Sequence, residues 1–147
     1  MAKVTHRVGI VGDINQIYRA MHEPQGLCGW WAESADGNPV VTGIIHLHFP
    51  GVATLSFRLT ELIENSLIRL HCVSGPGPWQ DCRLEFSFQQ DKEGVWVTLR
   101  HENESAAEED FLYFTTKWTV YLLSLRDWIE TGTGNPFPRD VKIHFGE

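Results

Sequence analysis

His6 and His101 are the residues of this chain best placed to do chemistry. Each falls on the apolar side of an alternating stretch, His6 with Val4, Val8 and Ile10, and His101 with Val95, Val97 and Leu99. A neutral imidazole in such surroundings can hydrogen-bond a ligand carbonyl or hydroxyl, or relay a proton. The same placement equally fits a histidine near a strand end that bonds backbone or water, as buried polar groups usually do. His46 and His48 stand at i and i+2 on one strand face. That spacing can bind a metal, but no third ligand is evident, so both are expected on a wet face with no metal. Cys28, Cys72 and Cys82 show no CxxC spacing and no cationic neighbour to make a thiolate. They read as reduced thiols of a cytoplasmic protein. Asp81, Arg83 and Glu85 line up as a solvated face. The chain carries no GxSxG, HExxH, P-loop or GxGxxG pattern, and "ETGTGNP" does not follow a strand as a phosphate cradle would. No complete catalytic set and no cofactor is implied.

The elements that must position these residues follow from periodicity. Residues 3–12 alternate as a strand. Asp13 fits a helix N-cap before "INQIYRAM", and Pro24 fits the first turn of a second short helix, "PQGLCGWW", stopped by Gly37-Asn38-Pro39. Five alternating stretches follow. Their inward sets are Val41, Ile45, Leu47 and Phe49; Ala53, Leu55, Phe57, Leu59 and Ile63; Ile68, Leu70 and Cys72; Cys82, Leu84, Phe86 and Phe88; and Val95, Val97, Leu99 and His101. Clean alternation means an antiparallel sheet with one dry face. From about Ala106 to Thr131 the period changes, and Phe111, Phe114, Trp118, Tyr121, Leu122, Leu125 and Ile129 form one helical stripe ended by Gly132. The expectation is an α+β domain over residues 1–147. Six strands, with two short helices after the first, are covered on their dry face by one long C-terminal helix.

The chain has 147 residues and a formal net charge of −7. The length suits one domain with a sizeable core. The charge disfavours nucleic acid and anionic membranes as partners. "MAKVTHRVGIVGD" has no long apolar run before a small-residue cleavage site, so no signal peptide is expected, and the longest apolar run is too short to span a bilayer. Aromatic residues make up 12% of the chain and include six Trp, which suits a filled core or a hydrophobic pocket. Trp30 and Trp31 are adjacent at the end of the second helix. Neighbours on a helix point about 100° apart. The pair therefore reads either as a lid with one ring inside and one partly exposed, or as a plain seal of the core end.

The stretches "IYRAMHEPQGLCGWWAE", "WQDCRLEFSF", "VTLRHENE" and "KWTVYLLSLRDWIETGTGNP" come in an order that resembles the activator-of-heat-shock-protein-ATPase-like (AHSA-like) family. That family is part of the START and birch-pollen-allergen-like (SRPBCC) superfamily. The resemblance spans Val4 to Pro136. It implies the helix-grip fold, a curved antiparallel sheet gripping the C-terminal helix, with a hydrophobic ligand cavity in many members. By the same resemblance Trp30, Trp31, Trp79, Phe111 and Trp118 match recurrent aromatic positions. The first strand should pair with the last, which would make His6 and His101 near neighbours.

Three functions are then open. The first is binding of a small hydrophobic or amphipathic ligand between sheet and helix. Its lining would be Trp30, Phe49, Phe57, Phe86, Phe88, Trp118, Tyr121 and Leu122, with His6 and His101 as polar anchors. The second, implied by the resemblance, is an interaction protein of the stress response that stimulates a chaperone ATPase, its acidic face meeting a basic partner. The third is an enzyme of cyclase or hydrolase type using the cavity histidines as acid and base. Oligomeric state is left open.

Overall fold

The computed structural model describes residues 1–147. β1 (Ala2–Ile10) has the predicted alternation, Ala2, Val4 and Ile10 being buried. α1 (Ile14–Ala20) begins where the Asp13 carboxylate accepts the Gln16 N–H at 3.0 Å. α2 (Pro24–Trp30) opens on its proline. It lies so close to its neighbours that a Cβ on Gly26 would sit 2.4 Å from the Ala20 backbone, and one on Gly29 would sit 2.4 Å from the Trp128 ring.

The sheet has seven strands, not six. The additional one is β2 (Ser34–Gly37), which pairs antiparallel with β3 (Ile44–Phe49), Ser34 opposite His48 and Gly37 opposite Ile45. "SADG" holds a single apolar residue, so this short edge strand is made by backbone pairing and has no alternation to read. β4 (Ala53–Ile63), β5 (Leu67–Ser74), β6 (Arg83–Gln90) and β7 (Val95–Asn103) complete the order β1-β7-β6-β5-β4-β3-β2, antiparallel throughout. The pairing of β4 with β5 shifts between Leu59 and Glu61. Beyond that bulge the faces exchange: Leu62 packs on the core, and Ile63, expected inward, is exposed.

α3 (Leu112–Thr131) follows a 3₁₀ turn at Glu108–Phe111 and ends at Gly132 in the left-handed region, φ +84°. Phe114, Trp118, Tyr121, Leu122 and Leu125 are buried as the stripe requires. Lys117 and Ser124 are buried beside them, because the chain after Gly132 runs back along the helix. Asn135 N–H donates to Ser124 Oγ at 2.8 Å, and that hydroxyl donates to the Trp30 carbonyl at 2.7 Å. Phe137 N–H donates to the Trp31 carbonyl at 3.0 Å. The Lys117 ammonium meets Asp140 at 2.6 Å, the Val141 carbonyl at 2.7 Å, and Glu147. No helix is long and apolar enough to cross a membrane.

Candidate functional site

His101 projects from β7 onto the dry face and is fully buried. Its Nδ1 accepts the Trp118 indole N–H at 2.8 Å. A neutral imidazole that accepts at Nδ1 carries its proton on Nε2. Burial pushes the His101 pKa down to about 3, so the ring is neutral at physiological pH. Its Nε2–H has no acceptor. Phe111 and Phe114 each lie 4.7 Å from it between ring centroids, and Trp79 stacks on it at 5.1 Å and 23°.

Trp31 lies at the other side of this ring cluster. It caps α2 with φ −119° and ψ −69°. Leaving the helix there lets both tryptophans turn inward: their rings stack at 5.4 Å and 25°, and neither is exposed. The two indoles differ in one respect. Trp30 N–H donates to the Ala20 carbonyl at 2.9 Å, whereas Trp31 N–H has no partner. Trp31 is 5.2 Å from Trp118, 5.7 Å from Tyr121, 6.0 Å from Phe57 and 6.2 Å from Trp79. Burial raises the Tyr121 pKa, and the Trp31 N–H offsets this in part without reaching hydrogen-bond geometry to the hydroxyl.

The predicted lining residues are distributed unevenly around this centre. Phe57, Trp118 and Tyr121 belong to it, and Phe86 touches Trp118 at 6.1 Å. Leu122 is buried on α3. Phe88 packs under α1 against Tyr18 at 6.0 Å, and Phe49 lies against Phe137 of the returning chain at 5.6 Å. Trp30 is held by its bond to α1. His6 does pair across β1 and β7, but its opposite residue is Leu99, and His101 faces Val4. Its Nε2–H donates to the Thr115 carbonyl at 2.6 Å. The two imidazoles therefore do not form a pair: one is tied to the start of α3 and the other to Trp118.

Sequence reasoning read the Trp30–Trp31 pair as a lid or a plain seal and singled out neither indole as a donor; with both rings buried, the pair seals the core end. The Trp-Trp pair marked the place, and only the coordinates distinguish the bonded indole from the free one. Trp79 is the one ring of the cluster that is not buried. It rides on a 3₁₀ turn, Gly77–Trp79, anchored by Asn103 side-chain donors to the Pro78 and Gln80 carbonyls, each at 2.9 Å. The pronounced concavities lie on the outside, and none of them is lined by Trp31, Trp118 or His101. Between sheet and α3, Trp31 and Trp79 pack against each other and against Phe57. On the outer sheet face His46 bonds Ser56 at 2.7 Å and His48 bonds Asp36 at 2.6 Å, and no three metal-ligating side chains converge.

An antiparallel sheet closed over by one C-terminal helix, with two short helices after the first strand, defines a helix-grip protein of the SRPBCC type. Comparison with solved structures gives the family. The Aha1 dimer from Colwellia psychrerythraea superposes with a TM-score of 0.80 at 31% identity, covering 91% of this chain and 100% of that one. The chain belongs to the Aha1 (AHSA1-like) family. An AHSA1-like protein from Aeromonas hydrophila matches at TM-score 0.71 and 14% identity over 88% of this chain and 93% of its own. CalU16 from Micromonospora echinospora matches at 0.78 and 19% over 97% and 74%. At those identities the likeness is one of fold. No protein-family model and no curated protein matches the chain.

Proposed function

We propose that this protein binds a small hydrophobic or amphipathic molecule between the sheet and α3, entering beside Trp79. The observation that carries the reading is the ring enclosure itself. Phe111, Phe114 and Trp118 pack on the His101 imidazole, a half-buried Trp79 on a short turn covers it, and Trp31, Phe57 and Tyr121 continue the ring cluster beyond Trp118 and Trp79. Rotation of the Trp79 side chain about its own bonds would uncover His101 without disturbing a strand. Affinity would come from apolar burial, about 25 cal/mol per Å², against rings already held in place. Titrating lipids, sterols and aromatic polyketides while following tryptophan fluorescence tests it. Saturable quenching is expected, and a flat response across all three classes overturns it. Catalysis has less support, because the His101 lone pair at Nδ1 is taken by Trp118 and no nucleophile adjoins the ring.

A second reading, docking to a chaperone, is favoured by the charge distribution. Lys3, Arg7, Arg58, Arg69, Arg83 and Arg100 lie on the outer face of β1, β7, β6, β5 and β4, against only Glu61, Glu85 and Glu102. Arg69 and Arg100 are neutralised by Glu61 and Glu85, while Arg58 and Arg83 flank His71 in one cross-strand row without an ion pair. In a chain of net charge −7 this face is the cationic one, so it suits an acidic partner, the reverse of the sequence expectation. Pull-down and an ATPase assay with the double variant R58E/R83E test it. Stimulation by the natural protein that the variant loses supports this reading, and no stimulation at saturating protein removes it.

A further inference from the structure

Cys72 and Cys82 are both buried and both free thiols. The register of β5 against β6, with Leu70 opposite Leu84 and His71 opposite Arg83, runs on to set Cys72 opposite Cys82. Cys72 N–H donates to the Cys82 carbonyl at 2.9 Å, and Asp81 N–H donates to the Cys72 carbonyl at 3.1 Å. Cys82 N–H instead closes a turn onto the Trp79 carbonyl at 3.0 Å, with Asp81 in the left-handed region at φ +65°. This is a bulge in which Asp81 is the extra residue, and it leaves both cysteine side chains on the dry face. Opposed residues of a hydrogen-bonded antiparallel pair have Cα atoms about 5.5 Å apart. A disulfide spans roughly 4.4–6.8 Å.

The thiols already touch. Cys82 Sγ–H donates to the Cys72 sulfur, and Cys72 Sγ–H donates to the Ser74 carbonyl at 3.4 Å. The bond from Cys82 outweighs burial and lowers the Cys72 pKa, while the same bond and burial raise that of Cys82. Cys72 is therefore the sulfur that ionises first. Above it lies Gly75, where a Cβ would come within 3.1 Å of Cys72 Sγ. The cover on that side is backbone with no side chain. Residues 73–81 form the connection between the two cysteines, and that connection carries Trp79, the ring stacked on His101.

We propose that Cys72 and Cys82 are a peroxide-reactive dithiol, which closes reversibly to a disulfide and staples the base of the Trp79 turn. The oxidant is a hydroperoxide small enough to pass Gly75 when the turn opens. The Cys72 thiolate attacks one peroxide oxygen, the O–O bond breaks, and hydroxide leaves, giving Cys72 sulfenic acid. Cys82 then attacks that sulfur. The S–S bond forms, the S–O bond breaks, and a second hydroxide leaves. The protons of the two thiols convert both hydroxides to water, so two thiols and one hydrogen peroxide give one disulfide and two waters. A small dithiol reverses the step by thiol–disulfide exchange. Cys28 lies on α2, outside this pair, and takes no part.

The experiment treats the folded natural chain with hydrogen peroxide, removes the excess with catalase, and alkylates in denaturant. The chain has three cysteines. Before oxidation all three should be alkylated; afterwards only Cys28 should be, with a peptide cross-link joining Cys72 to Cys82 that dithiothreitol releases. Backbone amide exchange at Gln80 and Asp81 should slow about tenfold or more in the oxidised chain, because the staple opposes local opening. Cys28→Ser should leave the cross-link unchanged. Cys82→Ser should halt the reaction at Cys72 sulfenic acid, trapped by dimedone; should that variant not fold, the natural chain alone decides. Three alkylated cysteines after peroxide, a cross-link through Cys28, or direct passage of Cys72 to sulfinic acid overturns the proposal. A Cys72–Cys82 cross-link that leaves amide exchange unchanged overturns the staple.

Discussion

Trp118 donates its indole N–H to Nδ1 of His101 at 2.8 Å, one bond joining the long helix through the core to β7, the strand next to the β1 edge of the sheet. It fixes the tautomer of the imidazole, and burial then fixes its charge.

Acid should therefore unfold this protein sooner than its surface charges require. The His101 pKa is about 3 in the folded chain against an ordinary 6.5, so between those values the unfolded chain binds the proton and the folded one does not. Stability rises with pH across that window and is lost as pH falls from about 6.5, at up to about 1.4 kcal/mol per pH unit. Urea midpoints of the natural protein from pH 7 to pH 4 should show this slope. His101→Gln keeps an acceptor for Trp118 and cannot ionise, so its slope should be shallower by that amount. An identical slope in the variant would assign the acid sensitivity elsewhere.

Lys117 is a fully buried ammonium held by Asp140, Glu147 and the Val141 carbonyl. Burial raises the Glu147 carboxyl, but Lys117, the Tyr113 hydroxyl and two backbone N–H groups outweigh it and hold the pKa at about 2. Lys117→Met removes the cation and leaves two carboxylates beside apolar surface. The expected loss is about 3–5 kcal/mol, with residues 137–147 becoming susceptible to protease before the sheet does. Simultaneous replacement of Asp140 and Glu147 by neutral amides should recover part of the loss in Lys117→Met.

Trp30 and Trp31 offer an internal control in stability. Replacing Trp30 by Phe breaks its bond to the Ala20 carbonyl, whereas replacing Trp31 removes a donor that bonds to nothing. The ring lost is the same size in both. Trp30→Phe should cost about 1 kcal/mol more than Trp31→Phe in urea denaturation, and the opposite order would show that Trp31 N–H is satisfied in solution.

The bulge in β4 can be checked by a neighbouring pair. Leu62 packs on the core and Ile63 is exposed. Leu62→Ala should lower stability by about 1–2 kcal/mol, and Ile63→Ala by less than about 0.5 kcal/mol. Uninterrupted alternation from Leu59 would reverse the two.

The fold was legible wherever a side-chain pattern paid out over several residues. His101 was placed correctly on the dry face because Val95, Val97 and Leu99 carry the alternation to it. The α3 stripe was visible for the same reason. β2 was not, because an edge strand of four mostly polar residues is specified by the backbone of β3 rather than by its own side chains. Ile63 was misplaced because a one-residue insertion in the ladder leaves no local composition signal. Lys117 was unreadable from α3 alone, since its partners come from a segment more than twenty residues further on. In the site, sequence identified the aromatic residue types but not their hydrogen-bond bookkeeping, which depends on where Ala20 and Thr115 present their carbonyls.

β1 finds its only strand partner in β7, with Ala2 opposite Asn103. During synthesis the opening strand and the adjoining tryptophan pair thus emerge long before the segment that will cover them. Closure of the sheet is a late, long-range event, which places refolding in the slow regime of non-local topologies. Over that interval a nascent chain displays an unpaired edge and two indoles, the surface on which a folding helper would act.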